Sequence, residues 1–324
     1  MSSAKILAAS AAAAALVCAL PAEAQQATKQ PVMEGGVMVC RDVQYSSDGA
    51  RPRLMSIAIP NPKPAKPVPA VIVIHGGGWN GGDRNSMFTW ASMLAKNGLV
   101  GVAIDYRLAK EAPFPAQIQD CKLAVRFLRA NAARYNINPK QIGVMGASAG
   151  GHLSSMLGLT AGNAEFEGDG GFKDESSQVQ AVCDCFGPSD FDSWAETANK
   201  IGNDEGLRKL YGLDLDEKMR TWCVNFSLKN DGNIKLLLEE KQAERAKWAS
   251  PLSYVEKCEK IPPFLIVHGD KDAWVPLQQS LLLADALDKK GADVNLKIML
   301  NAGHTPDKAA KDIMDFFKRA LIKQ

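Results

Sequence analysis

The chain of 324 residues is long enough to bury a large hydrophobic core within one domain. Its 46% hydrophobic and 23% charged residues are typical of a globular protein and exclude a disordered, collagen-like or coiled-coil chain. The 38 Lys and Arg residues against 36 Asp and Glu leave a formal net charge of only +2, without a dense basic run. This composition argues against a nucleic-acid partner.

The first 24 residues have the pattern of a secretory signal peptide. The positive charge of Lys5 precedes an apolar stretch at 6–20 that is too short to cross a bilayer, and small residues flank position 23 as signal peptidase requires. We expect cleavage after Ala24, a flexible segment at 25–36 and a secreted or periplasmic protein. No later segment is apolar for long enough to form a membrane anchor.

Short β-rich runs alternate with amphipathic stretches between residues 37 and 322, which indicates one α/β domain with a mainly parallel sheet. We predict eight strands, the first two antiparallel, with helices on both faces of the sheet. The predicted strands are 37–45, 54–59, 70–74, 99–104, 142–145, 179–186, 264–267 and 294–300. The predicted helices are 86–96, 115–135, 149–159, 277–290 and 306–322.

Residues 189–247 interrupt this alternation with a polar and charged segment that carries Trp194 and Trp222. An insertion of this length between two core strands predicts a lid or cap rather than a plain connection.

Of the seven cysteines, six follow the predicted cleavage site. An oxidising compartment permits disulfides, but free buried cysteines are equally consistent with the sequence. Cys183 and Cys185 lie two apart in a predicted strand, so their side chains share one face. That arrangement suits bonds to a third segment better than a bond between the two.

The motif GASAG at 146–150 follows a predicted strand and leads into a predicted helix. Glycines on both sides of the serine relieve the crowding of a tight strand-to-helix turn and let the hydroxyl of Ser148 stand exposed. Small residues at this spacing also serve close helix packing. The strand before and the helix after favour a nucleophilic serine.

A second glycine-rich motif, HGGGW at 75–79, ends the third predicted strand. Its glycines leave backbone N–H groups uncovered, and such donors can stabilise the negative charge that develops on a substrate carbonyl oxygen. A tight structural turn is the alternative. The presence of the serine motif favours an oxyanion hole.

The general base can be chosen among four histidines. His75 precedes the glycines, His152 lies on the helix after the nucleophile, and His268 closes a strand before an acidic loop. That leaves His304, in a loop after the last predicted strand, where the order Ser, Asp, His requires a base.

The acidic loop HGDKDAWVP at 268–276 offers two carboxylates for orienting the base. We choose Asp272 because it lies further into the loop, just before the next predicted helix, and keep Asp270 as the alternative. Either carboxylate would orient the imidazole and stabilise its charged form.

Together these motifs resemble those of α/β-hydrolase carboxylesterases of the acetyl esterase and hormone-sensitive-lipase-like group. Within this group the resemblance is greatest to secreted bifunctional acetylxylan and feruloyl esterases, and it covers about 70–159 and 249–305. The motifs are HGGGW, Gly82-Asp83-Arg84, Asp105-Tyr106-Arg107-Leu108, Phe114-Pro115-Ala116, GASAGGHL, Ala249-Ser250-Pro251 and HGDKDAWVP.

The resemblance implies the α/β-hydrolase fold and a catalytic triad of Ser148, Asp272 and His304. It also implies that the oxyanion N–H groups come from Gly77, Gly78 and Ala149. The chain departs from the lipase-like branch, which has an Asp-Pro-Leu acid motif where this sequence has HGDKD. It departs further in Cys183-Asp184-Cys185 and in the length of the insertion, so acyl and alcohol preferences are not carried over.

We expect a serine carboxylesterase that hydrolyses acetyl or feruloyl esters of small molecules or glycans through an acyl-serine intermediate. No cofactor or metal is expected, because the sequence has neither zinc-ligand spacing nor a P-loop. Trp79 could offer a flat indole to a sugar ring or an aromatic acyl group, with core packing as the alternative. Oligomeric state is not indicated.

Two other functions fit the same motifs. A peptidase or amidase of this fold, including an arylformamidase-like enzyme, would use the same triad. A non-catalytic binding protein built on a hydrolase fold is the alternative from a different class, and the intact set of Ser148, Asp272 and His304 argues against it.

Overall fold

The computed structural model describes residues 31–47, 51–193, 237 and 242–322. The predicted signal peptide, residues 25–30 and most of the insertion, with Trp194, Trp222 and Cys223, lie outside these residues. Among the residues described, no helix is both long enough and apolar enough to cross a membrane.

Nine strands of the described chain form one sheet. In chain order they are β1 (Val32–Glu34), β2 (Val37–Ser46), β3 (Arg53–Ile59), β4 (Val68–Ile74), β5 (Val100–Ile104), β6 (Ile137–Ala147), β7 (Val182–Cys185), β8 (Phe264–Gly269) and β9 (Val294–Met299). Their spatial order is β1-β2-β3-β5-β4-β6-β7-β8-β9. The pairs β1–β2, β2–β3 and β3–β5 are antiparallel and the others are parallel, which confirms a mainly parallel sheet.

The first strand is the one that the sequence did not predict, and the sheet therefore has nine strands rather than eight. Val32–Glu34 pairs with β2 through a turn at Gly35 and Gly36, which both have positive φ. It lies within the segment 25–36 that was predicted to be flexible. Its side chains are half exposed, with Val32 at 49% and Met33 at 56%, so no apolar alternation marked it as a strand.

Seven helices of the described chain surround the sheet: α1 (Phe88–Lys96), α2 (Ala116–Ala130), α3 (Ala149–Leu159), α4 (Ala164–Glu167), α5 (Gln242–Ala249), α6 (Leu277–Lys289) and α7 (Ala310–Ile322). Three predicted helices divide into an α-helix and a 3-10 turn, at 86–96, 115–135 and 306–322. The turns are Arg84–Met87, Ala132–Tyr135 and Asp307–Ala309.

Helices cover both faces of the sheet, as predicted. Along β4, the side chains of Val71 and Val73 join the apolar cluster under α1 and α7, whereas Ile72 and Ile74 join the cluster under α2, α3 and α6. A central parallel strand with both faces buried has a continuous apolar sequence, as observed here.

The thiols of Cys183 and Cys185 share one face of β7, with their Sγ atoms 3.8 Å apart. Both are fully buried in the cluster under α1 and α7, which contains no other described cysteine. Cys40, Cys121 and Cys258 are free thiols as well, so no disulfide joins two described cysteines.

The order in which strands are added to the sheet reverses at β4, and this point positions the candidate functional site. After β4 the chain adds β5 on one side, and it then crosses to add β6 on the other side of β4. Ligands of parallel sheets bind beyond the carboxyl ends of strands at such a switch point. The HGGGW turn follows β4 there, and Ser148 follows β6.

Two close backbone contacts shape the turn between β6 and α3. A Cβ atom on Gly146 would lie 2.2 Å from the carbonyl oxygen of Gly150, and a Cβ on Gly150 would lie 2.2 Å from the carbonyl oxygen of Ile74. Both distances are far inside van der Waals contact. The two glycines are therefore required for steric reasons, as the sequence predicted.

Replacing Gly150 by alanine should lower the free energy of unfolding by about 3 kcal/mol, because backbone atoms of β4 occupy the space of the new methyl group. Gly171→Ala is the matched control, since a Cβ there would meet no heavy atom within 4 Å. It should change the stability by less than about 0.5 kcal/mol. Urea unfolding of the two variants measures the difference, and equal losses would show that the contact is not restrictive.

Candidate active site

Ser148 occupies a strained turn between β6 and α3, with φ 58° and ψ −121°. Its N–H donates to the carbonyl oxygen of Cys185 at 2.9 Å, and its carbonyl accepts from the N–H of His152 at 3.0 Å. The backbone on both sides of the serine is thus fixed by β7 and by α3. Strained residues of this kind cluster at functional sites, and Trp79 and Phe186 of the same cavity also have positive φ.

Ser148 opens into a cavity of about 520 Å³ at the carboxyl ends of β4 and β6. This volume lies within the range of small-molecule sites, about 300 to 1,000 Å³. The glycine turn forms one wall, and mostly apolar side chains form the others. Those side chains include Met87, Phe186, Pro188, Trp274, Val275 and Pro306.

The predicted base and acid lie together at the edge of this cavity. Nδ1 of His304 is 2.7 Å from Oδ2 of Asp272, and His304 lines the cavity together with Ser148. Because Nδ1 faces the carboxylate, Nε2 is the nitrogen that can accept a proton from the serine. The imidazole packs against Phe186, with ring centroids 4.2 Å apart, and stacks on Trp274 at 5.4 Å.

The side chain of Asp272 is fully buried and has several hydrogen-bond donors. Its Oδ1 accepts from the N–H groups of Trp274 and Val275 at 2.8 and 3.0 Å. Burial alone would raise the pKa of this carboxyl, but the donors His268 and His304 outweigh that effect and hold the pKa well below its usual range. These donors therefore stabilise the ionised form of Asp272.

The alternative acid, Asp270, has a different role in the structure. Its Oδ1 accepts from the N–H of Ala302 at 3.3 Å and thereby joins the loop after β8 to the loop after β9. The geometry thus favours Asp272 over Asp270 as the partner of His304.

The three residues predicted to supply oxyanion donors line the cavity, Gly77 and Gly78 from the glycine turn and Ala149 from the start of α3. Gly77 and Gly78 have φ values of 113° and 58°, and the turn is closed by the N–H groups of Asn80 and Gly81, which donate to the carbonyl of Gly77. Within the described chain, the N–H groups of Gly77 and Gly78 donate to no other backbone group. Ala149 is the first residue of α3, so its N–H has no partner inside the helix.

Trp79 is placed differently from its predicted substrate-binding role. Its indole is only 1% exposed, its Nε1–H donates to Nδ1 of His152 at 3.1 Å, and its ring packs edge-on against Phe191. His152 in turn donates from Nε2 to the carbonyl of Ala249 at 2.8 Å, and burial lowers its pKa to about 4. The indole belongs to the core, which was the alternative considered from the sequence.

Trp274 is an exposed aromatic residue that lines the cavity, and the sequence analysis did not single it out. It is 40% exposed and stacks on the imidazole of His304 with an angle of 12° between the rings. Its position two residues after Asp272 was the signal that could have identified it.

Other motif residues support the glycine turn. The carboxylate of Asp105 accepts from the backbone N–H of Arg84 at 2.8 Å and from its Nη1 at 2.6 Å. Tyr106 stacks on the ring of His75 at 4.2 Å and donates from its hydroxyl to the carbonyl of His75 at 3.1 Å. These contacts tie the turn after β4 to the loop after β5.

Comparison with known proteins identifies the family. Residues 55–287 match the BD-FAE family, over a range that contains Ser148 and Asp272 and ends before His304. The chain belongs to this family.

Curated relatives of this member of the BD-FAE family include two esterases of Mycobacterium tuberculosis. LipQ is 31% identical over 273 residues, which are 83% of this chain and 58% of LipQ. LipC is 30% identical over 248 residues, which are 76% of this chain and 54% of LipC. The chain thus spans between half and three fifths of the length of these relatives.

Solved structures with the same fold include a carbohydrate esterase and a bifunctional GH43-CE protein. A truncated carbohydrate esterase from gut microbiota has a TM-score of 0.73 and 29% identity, covering 91% of this chain and 100% of that one. A bifunctional GH43-CE protein of Bacteroides eggerthii has a TM-score of 0.70 and 26% identity, covering 87% of this chain and 35% of that one. These likenesses confirm the α/β-hydrolase fold and the resemblance to its carboxylesterases.

The two loop carboxylates provide a paired test of the acid assignment. Asp272→Asn should lower kcat by about 10⁴-fold, because the amide favours the wrong tautomer of His304. Asp270→Asn should retain kcat within about fivefold, because its carboxylate does not touch the imidazole. Steady-state hydrolysis of nitrophenyl acetate measures both, and a larger loss in the Asp270 variant would exchange the assignments.

Proposed function

We propose that the protein is a serine carboxylesterase that acts through an acyl-serine intermediate. The observation that carries the proposal is the 2.7 Å contact between Asp272 and His304 at the edge of the cavity that contains Ser148. An ionised, buried carboxylate holds the imidazole in the tautomer that has a free Nε2, and this is the nitrogen that a serine nucleophile requires.

Acylation follows from this arrangement. Nε2 of His304 takes the proton of Ser148 as the hydroxyl oxygen bonds to the carbonyl carbon of the ester. The N–H groups of Gly77, Gly78 and Ala149 stabilise the oxyanion of the tetrahedral intermediate. When the intermediate collapses, the C–O bond to the alcohol breaks and His304 returns the proton to the leaving oxygen.

Deacylation repeats these steps with water. His304 takes a proton from the water molecule as its oxygen attacks the acyl-serine, and the same backbone donors stabilise the second oxyanion. The C–O bond to Ser148 then breaks, the serine oxygen recovers the proton, and the carboxylic acid leaves. Asp272 remains ionised and stabilises the imidazolium in both halves of the reaction.

For the substrate we propose short acyl esters, acetyl or feruloyl, carried by carbohydrates. The cavity volume suits a small acyl group, and the exposed indole of Trp274 offers a flat apolar face of the kind that sugars and aromatic rings contact. The names of the structural relatives, a carbohydrate esterase and a GH43-CE protein, support the same class. The signal peptide expected at 1–24 would deliver the enzyme to extracellular glycans.

A serine-directed probe tests the reaction class. A fluorophosphonate should label the purified protein once per chain, and Ser148→Ala should abolish the label and lower the turnover of nitrophenyl acetate by about 10⁴-fold or more. Turnover above about a tenth of the wild-type value in that variant would reject the triad. Absence of both labelling and turnover in the wild type would instead favour a non-catalytic binding protein, and preferential cleavage of aryl amides would favour an amidase.

The size of the acyl group tests the substrate class. We expect kcat/KM to be highest for acetyl esters and to fall steeply beyond about six to eight acyl carbons, as the apolar wall of the cavity ends. Acetate, butyrate, octanoate and ferulate esters should be compared, together with acetylated xylan. An optimum at octanoate or longer would contradict the glycan-esterase proposal.

A variant of Trp274 tests whether the proposed carbohydrate part of the substrate contacts this indole. His304 protonates the leaving alcohol, so an indole stacked on His304 adjoins the alcohol side of the ester. Trp274→Ala should therefore lower kcat/KM for acetylated xylo-oligosaccharides by about threefold to tenfold more than kcat/KM for ethyl acetate. Trp274→Phe, which keeps a flat ring, is the control. Equal losses for both esters would contradict a contact with the alcohol.

A further inference from the structure

A second histidine lies beside the acid of the triad. His268 is the penultimate residue of β8 and is fully buried. Its Nε2 lies 3.4 Å from Oδ2 of Asp272 and 2.9 Å from the carbonyl oxygen of Val275, and its Nδ1 lies 2.7 Å from Oγ of Ser280 on α6. The catalytic steps described above do not use this imidazole.

These contacts fix the tautomer of His268. A carbonyl oxygen only accepts hydrogen bonds, so the 2.9 Å contact with Val275 requires a proton on Nε2. This holds for both the neutral and the charged imidazole. The serine hydroxyl at Nδ1 holds the other edge of the ring, and the ring therefore cannot turn without losing both partners.

The fixed N–H of His268 is shared between Val275 and Asp272. At 3.4 Å its contact with Oδ2 of Asp272 is long and mainly electrostatic. The same Oδ2 atom accepts the hydrogen bond of His304, whereas Oδ1 accepts two backbone N–H groups. His268 thus supplies positive potential to the oxygen that orients the base.

We propose that His268 is a positioning residue of this active site, which acts through Asp272 and is itself oriented by Ser280. The proposal rests on the esterase function proposed above. In this proposal the N–H of His268 draws negative charge from Oδ2 of Asp272 and fixes the plane of the carboxylate. A buried histidine with a purely structural role would affect stability but not the titration of the acid–base pair.

Two titratable groups interact with His268, and a third, His304, is linked to it through Asp272. Asp272 and His304 belong to the loops after β8 and β9, and Asp184 on β7 is close enough to interact with His268 electrostatically. Burial raises the pKa of Asp184, and hydrogen bonds from Ser155 and Gly187 partly offset this effect. Asp184 lies outside the acid–base pair, so the pH dependence of catalysis should report on Asp272 and His304.

Removing the donor should change both the rate and the pH profile. In the wild type, kcat/KM should rise with pH as the base loses its proton. His268→Leu leaves more negative charge on Oδ2 of Asp272, so the pair holds its proton more tightly. The acidic limb should move up by about 0.5 to 1 pH unit and kcat should fall by about 10- to 100-fold, with KM changed less than about threefold.

Two further variants separate positioning from folding. His268→Gln places an amide N–H near the position of Nε2 and should restore kcat to within about fivefold of the wild type. Ser280→Ala should lower kcat less than His268→Leu does and shift the acidic limb of the pH profile in the same direction. Its matched control is Ser155→Ala, which removes another fully buried hydroxyl that donates to Asp184 at 2.7 Å and should leave the pH profile unchanged.

A spectroscopic readout keeps the inference separate from the esterase proposal. The low-field proton resonance of the hydrogen bond between His304 and Asp272 should shift in His268→Leu and return toward its original position in His268→Gln. An unchanged resonance and pH profile in folded His268→Leu would overturn the inference, as would equal effects of Ser280→Ala and Ser155→Ala. If His268→Leu does not fold, the glutamine variant and the serine pair decide. A wild type that hydrolyses no ester would refute the proposed function, not this contact.

Discussion

The active site depends on one steric contact, between the first turn of α3 and the end of β4. At Gly150 the helix backbone approaches the carbonyl oxygen of Ile74 so closely that a Cβ would lie 2.2 Å from it. This contact fixes the start of α3 relative to the last residue of β4, and the HGGGW turn begins at the next residue. Ser148 and the N–H of Ala149 are thereby placed beside the glycine turn. Dense backbone packing therefore aligns the two halves of the oxyanion site.

The parts of the site that the sequence predicted are those whose signal is local. A serine between two glycines, with a strand before it and a helix after it, can adopt few conformations, and the order of acid and base followed from the fold. The orientation of an indole is not local in the same way. Trp79 is buried because its N–H reaches His152, which lies 73 residues further along the chain. Trp274 faces the cavity because Asp272 accepts from its backbone N–H and its ring stacks on His304.

Choosing the general base by elimination among the histidines leaves the roles of the other histidines undetermined, as His268 shows. The sequence analysis chose one of four histidines as the base and assigned no function to the other three. In the structure each of the other three histidines has a partner: His75 stacks on Tyr106, His152 accepts from Trp79, and His268 contacts Asp272. The strand Val32–Glu34 was also missed, because backbone groups form its pairing with β2 and such groups are present in every sequence.

The first turn of α6 connects Asp272, the proposed acid of the triad, to the start of the insertion. The side-chain oxygen of Gln279 accepts from the N–H groups of Ser189 and Asp190 at 2.9 and 2.8 Å, where the insertion begins. The next residue, Ser280, contacts His268, and His268 contacts Asp272. Gln279 and Ser280 are both fully buried, and a buried residue whose polar groups are satisfied moves only at a high cost in free energy. The start of the insertion, at Ser189 and Asp190, therefore shares an anchor on α6 with the loop that carries Asp272.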